Sequence, residues 1–338
     1  MDGRSAWARG AATIGALVLA LSACGEEDGP TAAGDDGPLL VVTTNILGDV
    51  VENLVADGAT VEVILPANAD PHDFEASAQQ VETMGRADLL ITNGFGFEAG
   101  LLDVIESVES DGVEVYAAGD AVEPLKLTGP ADEDEGHEDE DADHGDEEGH
   151  EDEDDHGGED ADPHWFTDPG RMAVAADALA AHLVEHVPGV AAGQVEAHAA
   201  DYVAELEAVD AELAERLGDV PEENRQLVTN HEVFGYFADA YGFEVVGTVI
   251  PGGSTSAEPS AADLADLTEI LERTGAPAIF AETSSPASLA DALADEAGVD
   301  VEVVELFSES LGEEGSGGAT YLEMMRTNGE RVADALGA

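Results

Sequence analysis

Three histidines in this chain sit in stiff, punctuated segments suited to presenting a ligand. Asp162-Pro163-His164-Trp165-Phe166-Thr167-Asp168-Pro169 sets one imidazole between two Asp-Pro corners. Proline fixes its own φ at about −65° and restricts the residue before it, so a histidine held this way has few conformers. Asn68-Ala69-Asp70-Pro71-His72-Asp73 and Thr229-Asn230-His231-Glu232 are comparably punctuated. Imidazole nitrogen is the commonest protein ligand for metals. Three such rings, distant in sequence, can be gathered by a fold onto one cation.

The surrounding pattern predicts elements able to do this. Short apolar runs at 39–44, 61–65, 87–92 and 113–116 read as strands, with helical spacing at 46–55, 76–84 and 97–108 between them. Strands alternating with helices indicate βαβ units around a mainly parallel sheet, whose ligands bind beyond the carboxyl ends of strands. His72 falls just past one such strand. Two helices follow the 162–169 motif. The first is expected over 172–187, ended by Pro188. The second, over 190–217, has Val195, Tyr202, Leu206, Val209, Leu213 and Leu217 on one face and is long enough to cross a domain. The alternation then restarts, with strands at 226–229, 244–249, 278–281 and 301–304. Helices are expected near 233–241, 260–274, 286–297 and 320–336. The predicted class is α/β: two lobes with mainly parallel sheets joined by a long rigid helix.

Composition excludes several functions. The chain has 338 residues and a formal charge of −67, from 77 acidic against 10 basic side chains. Nucleic acid is not expected as a partner, because phosphate binding needs clustered Lys and Arg. There is no phosphate loop ending in Gly-Lys-Ser/Thr, and the single lysine, Lys126, leaves little room for Schiff-base chemistry.

Arg4 and Arg9 precede an apolar run over 11–21, then Leu21-Ser22-Ala23-Cys24-Gly25. A basic end, a short apolar stretch and small residues before a cut site form an export signal, expected over 1–23. Leu-Ser-Ala-Cys resembles a bacterial lipobox, which implies cleavage before Cys24 and its lipidation, with 24–38 as a flexible tether. Cys24 is the only cysteine, so no disulfide within the chain and no thiolate metal site can form. The N-terminal lobe is then expected over 39–188, the linking helix over 189–218 and the C-terminal lobe over 219–338.

Residues 131–162 hold 20 acidic residues, His137, His144, His150 and His156, and no basic residue. With nothing apolar to bury, this stretch is expected to be a disordered loop. It is either a solvated charge run or a loose divalent-cation binder.

With lobes and histidines placed, nearly the whole mature chain resembles the substrate-binding proteins of zinc and manganese ABC transporters. The resemblance rests on Asp70-Pro71-His72-Asp73-Phe74-Glu75, on the 162–169 motif, on His231-Glu232-Val233-Phe234-Gly235-Tyr236-Phe237, on Leu306-Phe307-Ser308-Glu309-Ser310-Leu311 and on the Tyr321–Asn328 segment. It implies that His72, His164 and His231 bind metal in a cleft between the lobes. Where the family often has a Thr-Asp-Ser ligand loop, this chain has Ser308-Glu309-Ser310, which makes Glu309 the fourth ligand, with Glu282 in reserve and water as another candidate. Manganese-carrying relatives commonly have glutamate where His231 stands, and three imidazoles with one carboxylate suit zinc. The acidic His-rich insert also resembles the zinc-specific members. Zn2+, carried as transported ligand, is therefore expected rather than manganese or iron. The implied partners are a membrane permease and its ATPase, the membrane through the lipid anchor, and a zinc chaperone. The chain is expected to act as an extracytoplasmic monomer.

The remaining histidines read otherwise. His182 and His186 are four apart on a helix, a zinc-compatible spacing, but lack a third ligand nearby in sequence and are taken as exposed helix residues. His198 is taken as a surface residue of the long helix. Phe234, Tyr236, Phe237 and Tyr241 read as core behind His231, and Trp165 and Phe166 as packing beneath the metal loop. The competing class is a zinc hydrolase, which needs an open coordination position and a general base. No His-Glu-x-x-His pattern is present, and the chain is expected not to be an enzyme.

Overall fold

The structure, a computed structural model, describes residues 37–127, 161–255, 260–284, 290, 294 and 301–338. The export signal, most of the tether with Cys24, the acidic stretch 131–160 and nearly all of the helix expected over 286–297 lie outside the described residues.

An all-apolar run makes β1 (Leu39–Val42), which leads into α1 (Asn45–Val55), whose cap is the Thr44 hydroxyl accepting from the Leu47 amide. The lobe continues through β2 (Thr60–Val63), α2 (Ala78–Met84), β3 (Leu89–Thr92), α3 (Leu102–Ser110) and β4 (Val115–Ala117). These strands form one parallel sheet in the order β2-β1-β3-β4, with Leu40 opposite both Val61 and Leu89. Next come α4 (Pro169–His186) and α5 (Ala192–Gly218). The second lobe runs β5 (Gln226–Thr229), α6 (Gly235–Tyr241), β6 (Glu244–Thr248), α7 (Ala261–Thr274), β7 (Ala278–Glu282), β8 (Glu302–Leu306) and α8 (Tyr321–Ala335). Its parallel sheet has the order β6-β5-β7-β8, repeating the first. In both sheets the earliest strand is internal, so connections diverge on either side of it and open a crevice at the strands' carboxyl ends.

Helix α5 spans 27 residues, about 40 Å at 1.5 Å per residue. Its buried stripe is Val195, Ala199, Tyr202, Leu206, Val209, Leu213 and Leu217, spaced three or four apart throughout. The helix packs on α1 and α4 of the first half and on α6 and α8 of the second. One hydrophobic cluster runs through both lobes as a result, from Leu40 and Leu89 to Phe280 and Leu306. Each fully buried aliphatic side chain there is worth about 1.5–3 kcal/mol relative to exposure. The α5–α8 crossing is close: a Cβ at Gly329 would lie 2.1 Å from Leu213 Cδ2.

The helix expected over 97–108 begins later than its pattern suggests. Gly94, Phe95 and Gly96 all have positive φ (90°, 54° and 72°). This left-handed corner swings Phe97 and Glu98 into the interior, and a 3-10 turn (Ala99–Leu101) precedes α3. The ends of the acidic stretch meet in an antiparallel bridge between Lys126 and Ala161, and the Asp162 amide donates to the Leu125 carbonyl (2.8 Å).

Candidate metal centre

The two Asp-Pro-His segments fold alike. In each, the aspartate carboxylate accepts from the histidine amide two residues on: Asp70 Oδ1 from His72 N, and Asp162 Oδ1 from His164 N, both at 2.9 Å. This local turn, reinforced by proline, sets the ring direction. His72 follows β2 on the loop 66–77. His164 precedes the 3-10 turn Trp165–Thr167, and His231 follows β5 directly. Glu309 lies on the loop after β8.

These four side chains are buried and converge. Glu309 Oε1 lies 2.7 Å from His72 Nε2, 3.3 Å from His164 Nε2 and 3.3 Å from His231 Nε2, and the last two nitrogens are 3.4 Å apart. All four ligand atoms fall within 4.8 Å of one another. Four-coordinate zinc with bonds of about 2.0–2.1 Å has ligand-to-ligand edges of about 3.3–3.4 Å, and three of these four separations have that length. Glu309 Oε2 is buried without a hydrogen-bond partner. A buried carboxylate oxygen with no donor is costly unless a cation satisfies it, so the donor set fits a metal ion.

The backs of two rings are fixed by carboxylates. His164 Nδ1–H donates to Asp162 Oδ1 (2.7 Å) and His231 Nδ1–H to Glu282 Oε1 (2.5 Å), which turns both Nε2 atoms towards the centre. Glu282, considered from sequence as a reserve ligand, thus stands on the far nitrogen of His231, while Glu309 occupies the point of convergence. Gly235 allows Asp162 its position, since a Cβ there would be 2.6 Å from Asp162 Oδ2. Asp162→Asn is expected to weaken metal binding by about 10–100-fold with the fold intact, read by chelator competition.

Charge inside the site is balanced by geometry. Burial alone lowers the His231 pKa, yet the carboxylates of Glu282 and Glu309 outweigh it and hold the imidazole well above its ordinary value. Burial likewise pushes His164 down, and Asp162 and Glu309 more than restore it, leaving it raised. For Glu309, burial raises the carboxyl, but the three facing imidazoles prevail, His231 foremost, and keep it well below the usual range. Phe97, fully buried, sets its ring edge-on to His72 (centroids 5.5 Å) and His164 (5.8 Å), walling the centre from water.

The lobes are tied together beside this cluster. Ser310, next to Glu309, accepts from Asn45 Nδ2 (2.8 Å) and from the Asn68 amide (2.7 Å), and Asn45 Oδ1 accepts from the Leu311 amide. Asn68 takes positive φ (60°), which asparagine tolerates, to point that amide across the cleft. Thr255 donates to Asp70, and the Tyr321 hydroxyl to the Phe166 carbonyl. Sequence reasoning missed Asn45, Asn68 and Ser310; only the proximity of Asn68 to His72 and of Ser310 to Glu309 pointed to them. Trp165, Phe166, Phe234, Tyr236, Phe237 and Tyr241 are buried as expected. His198 is half-buried rather than at the surface, with Nδ1 3.3 Å from the Leu54 carbonyl.

Two parallel-sheet lobes around a buried cluster of three imidazoles and a carboxylate define a metal-binding protein of the two-lobed solute-capture kind. The family model described as ZnuA, "Zinc-uptake complex component A periplasmic", matches residues 40–335. The manganese-binding lipoprotein MntA of Halalkalibacterium halodurans is 28% identical over 323 residues, covering 95% of this chain and 96% of that protein. The zinc-binding protein TroA of Treponema pallidum is 30% identical over 327 residues, 96% of each chain. The solved structure of periplasmic zinc-binding TroA superposes with a TM-score of 0.76 at 28% identity, covering 89% of this chain and all of that one. This chain belongs to the ZnuA family of metal ABC-transporter substrate-binding proteins. It binds a divalent metal ion as cargo and implies a permease and an ATPase as partners. The family consists of transporter components rather than enzymes, which sets the hydrolase reading aside.

Proposed function

We propose that this protein captures Zn2+ through His72, His164, His231 and Glu309 and delivers it to a membrane permease for uptake. Relatives named for zinc and for manganese both match, so the choice rests on the site. The carrying observation is the donor set and its convergence: three imidazole nitrogens and one carboxylate oxygen lie within 4.8 Å of one another, three of their separations at the 3.3–3.4 Å of a tetrahedral zinc edge. Manganese prefers oxygen ligands in higher coordination. Nickel, copper and cobalt are expected to occupy the site in vitro, since raw affinity does not follow biological use.

His72 and His164 come from the N-terminal part and His231 and Glu309 from the C-terminal lobe, so one ion draws both together while α5 limits how far they part. The protein is extracytoplasmic on this reading, held to the membrane by lipid on Cys24. Several relatives are named as lipoproteins, and among the described residues no helix is long and apolar enough to cross a membrane. The test is accumulation of radioactive zinc and manganese by cells carrying this protein with its permease. Zinc accumulation that disappears with His231→Ala is expected; manganese accumulation in its place refutes the choice of metal.

Residues 131–160 contribute nothing to the cleft on this reading. Because the Lys126–Ala161 bridge already brings its ends together, deleting residues 131–160 is expected to leave the tight site intact and remove only weaker ions. Isothermal titration with zinc checks this.

A further inference from the structure

The helical pair His182 and His186 lacks a third ligand nearby in sequence, and the fold supplies one. Glu114, immediately before edge strand β4, places Oε1 3.2 Å from His182 Nε2 and 3.2 Å from His186 Nδ1. The ligand atoms of all three lie within 4.8 Å of one another. We propose that Glu114, His182 and His186 form a second cation site on the N-terminal lobe, for a zinc-class divalent ion.

The rings are ordered for this. They stack in parallel (centroids 4.3 Å, 8° between planes), and His182 is backed by the Tyr116 ring at 4.4 Å. The His182 side chain is only 19% exposed, and its Nε2 is shielded and makes no well-formed hydrogen bond. Burial, and then the neighbouring His186, lower the His182 pKa, which favours the neutral imidazole that ligates metal. One cation beside Glu114 Oε1, His182 Nε2 and His186 Nδ1 satisfies all three ligand atoms. The site also lies at the carboxyl end of α4, where the helix dipole favours positive charge.

Two nitrogens and one carboxylate oxygen leave a fourth position open to solvent, so the ion is exchangeable. That donor set selects zinc, nickel, cobalt or copper over magnesium or calcium. From Pro169 to His182 is about 20 Å of helix at 1.5 Å per residue, which separates this site from the cleft. A bound ion here clamps the last turn of α4 to the sheet edge.

The test is carbethoxylation of histidines in the full-length protein by diethyl pyrocarbonate, mapped residue by residue by mass spectrometry across a zinc titration. Residue-level readout keeps ions bound at the cleft or the acidic stretch from contributing. Zinc is expected to protect His182 and His186 with one common midpoint, leaving His198 unchanged. Glu114→Gln, an exposed change, raises that midpoint at least ~10-fold, equivalent to about 1.4 kcal/mol. Magnesium at the same concentrations gives no protection. Absence of protection by millimolar zinc, equal protection of His198, an unshifted midpoint in Glu114→Gln or equal protection by magnesium each overturns the site.

Discussion

His164→Ala is expected to weaken cleft metal binding by more than ~100-fold, beyond the 10–100-fold that loss of a supporting carboxylate costs. The substitution removes one of four converging donors and leaves Asp162 buried without its imidazole partner. His182→Ala, near the carboxyl end of α4 and about 20 Å along the helix from Pro169, is expected to leave cleft affinity unchanged. Competition against a chelator of known affinity reads both. Equal losses in the two variants contradict the placement of the centre. Circular dichroism separates loss of ligand from loss of fold, since His164 is fully buried.

The second large effect is a metal-dependent gain in stability that grows with pH. Metal at 1,000 times its dissociation constant stabilises the native state by about 4.1 kcal/mol. At roughly 2–4 °C per kcal/mol this raises Tm by about 8–16 °C. In the metal-free protein the raised His231 pKa contributes stability that is complete below the unfolded histidine value of 6.5 and is lost as pH climbs through the raised folded value. The lowered Glu309 contributes stability present above 4.5 and lost as pH falls through its depressed value. The His231–Glu309 pair therefore supports the metal-free protein best between about pH 4.5 and 6.5. Metal requires neutral imidazoles, so binding expels the proton that His231 holds. The difference in Tm between metal-loaded and metal-free protein is expected to widen from pH 6 to pH 8. A difference that narrows over that range contradicts the account.

Much of the site was legible because its parts are local. The Asp-Pro-His segments set ring direction through a two-residue turn, and that turn is written in the sequence around His72 and His164 alike. His231 was legible from its flanks and from the strand ending at Thr229. The alternation of strands and helices and the long apolar stripe of α5 followed from periodicity, whereas the order of strands within each sheet did not. What sequence hid was pairing across distance. Glu282 and Glu309 are equally acidic in the string, and only the register of β7 against β8 puts one behind His231 and the other before it. Asn45 and Asn68 meet Ser310 only because the crevice closes on both. The Glu114–His182–His186 cluster was invisible for the same reason, as its carboxylate comes from a different element. The late start of α3 arose from three consecutive positive φ values at Gly94, Phe95 and Gly96, where the flanking glycines were the only hint.

The central claim is that rings from both halves close on one ion, and zinc-edge anomalous scattering from crystals of the zinc-loaded protein tests it most directly. The account predicts one strong peak about 2.0–2.1 Å from Nε2 of His72, His164 and His231 and within bonding distance of a Glu309 oxygen. A cleft without a peak, in crystals with zinc bound elsewhere on the chain, would contradict it.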